Sequence, residues 1–441
     1  MLNIRGLTGC IVLPSSPCYD ESRQVYNSRF NKYPKVIVYC NYTKDVVNAV
    51  LWARRERMPF RLRCGGHSYE AYSLINCGLV IDVSGLQSLE YHKESRTIQI
   101  GAGHRLLPLY EALWNEGVTL PGGTCPTVGI SGQTLGGGYG YLSRLFGMTC
   151  DNLLEVEMVT AQGTVIRANE NHHSDLLWAC RGGGGGSFGA VTSLLFQVHP
   201  IEKVVRFRMT WEFSSLRSVV QFWQEWAPFT DPRLTSLLAL PARNQGELRA
   251  SGIFVGTEQE LSQIIAPLRE TIPPESVEVH ALSWLDAARQ LAGSPLQQEK
   301  FKGSSAYAYK PLSNAAIDQL VFNLENAPGQ ANVISFGAYG GVISQVPASA
   351  TAFVHRYPMF MIHYQSYWEQ DEDADKNIRW IEDFRNSMLP YTSGAYCNYS
   401  DSLILDWSLA YFGTNLERLI KIKRRYDPEN LFCFEQSIPV S

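Results

Sequence analysis

Nearly a third of residues 121–152, PGGTCPTVGISGQTLGGGYGYLSRLFGMTCDN, are glycine, several times the usual share of about 7%. Glycine at this density weakens helix and strand alike, so the stretch is expected to be a loop and not a regular helix or central strand. It carries Thr, Val, Ile and Leu rather than the Ser and Glu of a disordered linker. A glycine-rich yet apolar loop lets backbone wrap closely around a flat, extended ligand. About sixty residues earlier, RLRCGGHSYE (61–70) places two adjacent glycines, Gly65 and Gly66, directly before His67, Ser68 and Tyr69. Such a pair permits φ > 0, and the N–H groups of the turn form a concave nest for anionic oxygens such as a pyrophosphate. A third run, RGGGGGSFGAV (181–191), follows the helical pattern of Ser174–Cys180.

Strand and helix patterns surround these loops. KVIVYC (35–40) is a β-branched apolar run, and Thr43 can cap a helix with Val46, Val47, Val50 and Leu51 on one face. Pro59 restarts an extended segment that leads into Gly65, which makes an α/β unit feeding a phosphate-type loop. Residues 79–83 and 97–100 read as further strands, and Leu106, Leu109, Tyr110 and Leu113 share a helix face. Beyond about residue 200 the glycine runs stop. Residues 204–213 alternate as a half-exposed strand, and Leu216, Val219, Val220 and Trp223 mark a helix. Residues 237–240 and 247–255 bracket a turn at Asn244–Gly246, and Thr257-x-x-Glu260 is a capping box. Later strands are expected at 331–338 and 358–367, with helices near 313–326 and 375–387. The implied second domain is α+β, built on an antiparallel sheet.

At 441 residues the chain exceeds one ordinary core, so two domains are expected. A net charge of −4 argues against nucleic acid as a partner and gives no membrane-surface signal. No apolar run reaches spanning length. The start, MLNIRGLTGCIVLP, is a poor signal peptide, so an unprocessed, cytoplasmic chain is expected. Ten scattered cysteines without a CxxC pair are expected to be reduced and mostly buried, forming neither a zinc site nor a disulfide framework. His172 and His173 lack metal-ligand spacing and are expected in a loop before a helix, so no metal site is expected.

His67 within GGHSY, Cys125 within GTCPTVG, then TLGGGYGYLSR and DNL resemble the berberine bridge enzyme-like flavoproteins. These belong to the vanillyl-alcohol oxidase and p-cresol methylhydroxylase flavoprotein superfamily. The C-terminus agrees through YCNYSD (396–401), YFGTNLERL (411–419), KRRYDP (423–428) and QSIP (436–439). The resemblance implies an FAD-binding domain of two α/β subdomains at 1–200, completed by a C-terminal segment at 395–441. A substrate domain at 201–394 would lay its sheet over the flavin. It also implies FAD attached twice, by His67 to the 8α-methyl carbon and by Cys125 to C6 of the isoalloxazine. Two attachments hold the ring in one pose and can raise its reduction potential, which favours taking a hydride. Arg63, Cys64, Gly65, Gly66 and Ser68 would hold the pyrophosphate, mostly through backbone N–H groups. Gly122, Gly129, Gly132, Gly137, Gly138 and Gly140 would bring backbone close to the cofactor, with Val191 and Asn398 beside it. Cys64 stands where the family often has Ser, and Ser187 where it often has Asn.

Val128 matches the family's oxygen-gating position, where a small residue resembles the oxygen-reactive members. Tyr396 matches the base of the carbohydrate-oxidising members; a phenol of pKa about 10 needs help to act near neutrality. Tyr69 is expected to face substrate. Met361, His363 and Gln365 share one face of the strand expected at 358–367, which makes His363 and Gln365 pocket candidates. The implied activity is that of an oxidase: Tyr396 deprotonates an alcohol or sugar hydroxyl, hydride passes to flavin N5, and O₂ is reduced to H₂O₂. The partners would then be a small-molecule substrate and O₂. Oxidation of a secondary-metabolite ring or amine is the competing enzymatic reading. A coat or surface-layer flavoprotein with little turnover is the non-enzymatic one, against which the joint presence of Tyr396, His67 and Cys125 argues.

Overall fold

The structure, a computed structural model, describes residues 3–292, 298–329 and 331–441. Val36–Tyr39, Leu79–Asp82 and Phe60–Arg63 lie side by side as a parallel sheet, with Cys10–Val12 antiparallel on the outer edge. Leu79–Asp82 is buried throughout, which is why its sequence runs apolar without alternating. Thr43–Arg55 packs Val46, Val50 and Trp52 inward. Its cap differs from expectation: the Asp45 carboxylate accepts the N–H groups of Asn41 and Tyr42, while the Thr43 hydroxyl donates to Glu157 at 3.0 Å.

A second sheet is antiparallel, in the order Leu89–His92, Thr97–Gly101, Ala190–Gln197, Leu153–Val159, Val165–Ala168. The two sheets, helix Leu106–Asn115 and helix Ser174–Cys180 share one apolar core, which also takes in Tyr411, Phe412, Leu419 and Ile438 from the C-terminal stretch. The chain therefore returns to its first half after residue 395.

Between these halves lies a seven-stranded antiparallel sheet. Its order is Ser276–Ser283, Lys203–Trp211, Leu248–Phe254, Leu234–Pro241, Ala331–Ala338, Phe360–Trp368, Lys300–Ala308. Ile334, Phe336, Ile362 and Tyr364 pack against helices Leu216–Trp226, Asn314–Glu325 and Ala374–Met388. The strand period of two sends Ser335, Met361, His363 and Gln365 to the opposite side. There Ser335 pairs with His363, and Gly337 with Met361. The expected capping box is present: Thr257 Oγ1 accepts from Glu260 N–H, and the Glu260 carboxylate accepts from Thr257 N–H.

Three expectations need correction. The glycine-rich stretch contains a short helix, Ile130–Leu135; only one glycine falls inside it, and the Thr134 hydroxyl donates to the Ile130 carbonyl at 2.7 Å. Strands Ser276–Ser283 and Lys300–Ala308 and helix Trp284–Ala292 were not anticipated. The cysteines are all free, but Cys10, Cys18, Cys77 and Cys125 are exposed and only Cys40, Cys150 and Cys180 are buried. Among the described residues, no helix is long and apolar enough to cross a membrane.

Candidate active site

The first two glycine loops meet backbone to backbone. A Cβ on Gly65 would lie 2.4 Å from the Gly129 nitrogen and 2.6 Å from the Thr127 carbonyl oxygen. One on Gly129 would lie 2.3 Å from Cys64 Sγ. Neither position has room for a side chain. Cys64 lies half-buried at this junction and borders the cavity; the protein mass around it pushes its thiol up to about 11, so it stays protonated near pH 7.

Beside this junction opens a cavity of about 540 Å³, lined by both loops, by Gly183–Ser187 of the third glycine run, by the seven-stranded sheet and by Tyr396–Ser400. Four buried polar atoms lack a protein partner and belong to residues of this lining: Arg61 Nε, Tyr72 OH, Ser73 Oγ and Gln133 Oε1. Ser68, Ser131, Gln133 and Ser187 also border the cavity, so its mostly apolar walls carry some groups able to pair with a polar ligand. A Cβ on Gly132 would meet no protein atom within 4 Å; this glycine faces open space. Gly66, Gly184 and Gly186, with φ of +71°, +90° and +80°, turn backbone along the same walls. Volume, mostly apolar walls and glycine-lined backbone all suit a dinucleotide such as FAD.

His67 stands at the loop junction. Its Nε2 lies 2.8 Å from Thr127 Oγ1, and its ring stacks on Tyr26 with centroids 4.4 Å apart. Burial, with the Arg105 charge, lowers its pKa to about 4, so the imidazole is neutral near pH 7. Cys125 borders the cavity, two residues before Thr127, with its surface open to that space. The protein mass around it, and Glu299, push the thiol up.

Tyr396 is 3% exposed. Its hydroxyl oxygen accepts the Gly138 N–H at 2.8 Å and Asn398 Nδ2 at 2.9 Å. Burial raises its pKa well above the ordinary phenol value, while these two donors pull it down. Tyr69, Tyr399 and His363 form a continuous stack: centroids are 5.3 Å apart for Tyr69–Tyr399 and 3.9 Å for His363–Tyr399. Tyr69 OH lies 3.3 Å from His363 Nε2. Burial lowers His363 to about 3, which leaves it uncharged. Gln365 donates to Tyr367 OH at 2.7 Å.

Other predicted residues divide. Val128, Gly129, Gly132, Gly140, Val191 and Asn398 line the cavity, as do Gly65, Gly66 and Ser68. Gly122, Gly137 and Gly138 do not: Gly122 packs on the Tyr110 hydroxyl and Gly137 on the rings of Phe353 and Tyr396. Gly138 serves Tyr396 through its N–H. Arg63 borders the cavity, but its guanidinium is engaged by the Asp82 carboxylate and the Ser22 carbonyl. Only its backbone remains available to a phosphate.

Sequence reasoning missed Tyr26, Tyr139, Tyr367 and Tyr399, all in the lining. Tyr399 was legible in principle, because the turn Cys397–Tyr399 carries the second aromatic of YCNY to the side of the first. It also missed a buried charge cluster behind the wall. Lys302 Nζ donates to Glu70 at 2.6 Å and to Asp401, Ser304 donates to Asp401 at 2.6 Å, and Arg29 pairs with Glu70 at 2.9 Å. These groups join the seven-stranded sheet, the first glycine loop and the C-terminal segment at one point.

Known proteins carry the same plan. Residues 34–169 match the family described as FAD binding domain, and residues 395–439 match Berberine and berberine like. The chain is 41% identical over 439 residues to the FAD-linked oxidoreductase YgaK of Bacillus subtilis, covering 98% of this chain and 97% of that protein. Among solved structures, BBE-like 1 of Physcomitrella patens superposes with a TM-score of 0.93 at 33% identity, covering 98% and 97% of the two chains. A chitooligosaccharide oxidase superposes at 0.91 with 26% identity, covering 98% and 97%. The chain belongs to the berberine bridge enzyme-like family of FAD-linked oxidoreductases.

Proposed function

We propose that the protein is an FAD-dependent oxidase with bicovalently attached flavin, acting on an uncharged alcohol or sugar hydroxyl. In this reading residues 1–200 with 395–441 form the cofactor domain and 201–394 the substrate domain. One core drawn wholly from within 201–394, beside a larger one drawn mostly from 1–200 and 395–441, supports that division. His67 and Cys125 are the attachment residues. When bound, FAD supplies a two-electron acceptor for hydride and passes the electrons to O₂ with formation of H₂O₂.

Tyr396 carries the reading. It holds a hydroxyl oxygen between two N–H donors at the cavity that also presents His67 and Cys125. Those donors stabilise negative charge on the phenol oxygen in a dry site, where such bonds count most. Burial opposes ionisation, so the phenol must give up its own proton before it can take that of the substrate hydroxyl as hydride leaves the carbinol carbon. Tyr69 and the neutral His363 offer polar edges that orient the substrate.

Charge selects between the two enzymatic readings. Among the described residues no Asp or Glu lines the cavity, and its only Arg or Lys residues are Arg61 and Arg63. A protonated amine would therefore enter without a counter-charge, at the cost of desolvating an unpaired ion. An uncharged polyol meets hydroxyls and an amide instead. Neighbouring structures agree in kind, since one is a chitooligosaccharide oxidase and another, a grass pollen allergen, is a glucose dehydrogenase. Val128 lines the flavin cavity as a small residue and favours the oxidase side of that pair.

The test is Tyr396→Phe, assayed by peroxide release against neutral aldoses, oligosaccharides and aromatic alcohols. Loss of a general base lowers kcat by about 10²–10⁴-fold, with flavin content unchanged and KM altered little. Retention of wild-type kcat would remove Tyr396 from the chemistry. Negligible turnover of the wild type on every substrate, with incorporation into an insoluble assembly, would favour the coat-protein reading.

A further inference from the structure

We infer that Thr127 is a positioning residue for flavin attachment: its hydroxyl holds His67 by Nε2, in the orientation that leaves Nδ1 as the nitrogen for bond formation. The inference rests on the covalent-flavin reading above and concerns how this chain prepares for that bond.

The imidazole is fixed in two ways. Tyr26 lies against its face, with ring planes 19° apart, and the Tyr26 hydroxyl is itself held by the Glu299 carboxylate. Thr127 Oγ1 meets Nε2 at 2.8 Å. A neutral imidazole has one N–H and one lone pair, and the partner of one nitrogen sets the state of the other. If Nε2–H donates to Thr127, the lone pair sits on Nδ1 and is free to attack. If the hydroxyl donated to Nε2, the proton would sit on Nδ1 and no nucleophilic nitrogen would be available. Burial keeps the ring in the neutral form that this choice requires.

The position of Thr127 gives it a second effect. It lies two residues after Cys125, and its carbonyl is packed against Gly65. The loop that presents one anchor thus also aims the other, and the close backbone contact keeps the two loops in register.

A bond forms from Nδ1 to the methyl carbon, one C–H bond at that carbon breaks, and its proton goes to solvent. Two electrons remain on the ring system, and O₂, with protons from solvent, removes them as H₂O₂. The positive charge that develops on the imidazole is shared with Nε2–H, which Thr127 accepts.

The purified holoproteins of wild type, Thr127→Val, Thr127→Ser and Thr127→Ala are precipitated in acid, digested and weighed as peptides. Valine keeps the shape and removes the hydroxyl; alanine removes it without adding volume, should valine disturb the fold. The account expects FAD mass on the His67 and Cys125 peptides of wild type and of Thr127→Ser. In the valine and alanine variants the His67 adduct should fall by about tenfold or more while the Cys125 adduct persists. A wild-type level of His67 adduct in both variants overturns the role of Thr127 and leaves covalent attachment intact. Absence of flavin mass from the wild-type His67 peptide overturns the attachment reading itself, and the role of Thr127 with it.

Discussion

Lys302→Met would remove the only cation that, among the described residues, pairs with Asp401 in the cluster behind the cavity wall. Lys302, Glu70 and Asp401 are 1%, 5% and 2% exposed, so water cannot replace the lost charge. Glu70 keeps Arg29 at 2.9 Å. Asp401 keeps the Ser304 hydroxyl at 2.6 Å and the Leu403 N–H at 2.9 Å, but no positive partner. Breaking a buried pair by deleting one member costs roughly 3–5 kcal/mol; with Glu70 compensated, the lower end applies, about 3 kcal/mol. Against a typical total stability of about 5–15 kcal/mol, that is a large loss. Urea unfolding followed by tryptophan fluorescence would show it as a lower midpoint. Lys302→Met combined with Asp401→Asn should recover about half, because the stranded charge is gone. A single variant within about 1 kcal/mol of wild type would show that this cluster behaves as a surface ion pair, and would refute the reasoning.

Two further outcomes follow from other parts of the molecule. Gly65→Ala should destabilise the loop junction by about 1–3 kcal/mol and reduce flavin retention, because the added Cβ meets backbone atoms that cannot swing aside; unchanged flavin content and urea midpoint would contradict this. His199, His355 and His363 are held by burial at about 4, about 4 and about 3, below the unfolded value of about 6.5. The unfolded state therefore binds more protons between these limits, so stability is highest above pH ~6.5 and falls as pH drops toward 4, by up to about 1.4 kcal/mol per pH unit for each histidine. Urea midpoints at pH 5 and pH 7 check this, and equal midpoints would contradict it.

Regular elements with one buried face were readable in the sequence. Residues 331–338 and 174–180 were placed to the residue, because β-branched or aliphatic spacing and flanking turn residues agreed. Lys300–Ala308 was not. Its GSSA core carries little strand propensity, and it is buried by pairing with Phe360–Trp368 and by Tyr69 packing onto Gly303, contacts made between residues far apart in the chain. The same reason hid Ile130–Leu135, where composition of the whole stretch outweighed the local residues. At the site, motif residues such as His67 and Cys125 were legible because their neighbours are distinctive. Tyr26 was not, since nothing local marks it, and Thr127, though inside GTCPTVG, gains its role only from the approach of separate loops to His67. Gly137 and Gly138 were assigned to the cofactor from the family resemblance, whereas they pack on and bond to Tyr396, a partner more than 250 residues away.

The most direct test of the account is anaerobic reduction of the holoprotein by matched sugars that differ only in charge. Glucose, glucosamine and glucuronate, and their short oligosaccharides, are mixed with the oxidised protein and flavin absorbance is followed, after which air is admitted and peroxide measured. The account predicts bleaching by a neutral sugar or alcohol, little or none by the charged analogues, and stoichiometric peroxide on reoxidation. Bleaching by an amine or a carboxylate in preference to its neutral counterpart would contradict the uncharged-substrate reading, and reoxidation without peroxide would contradict the oxidase.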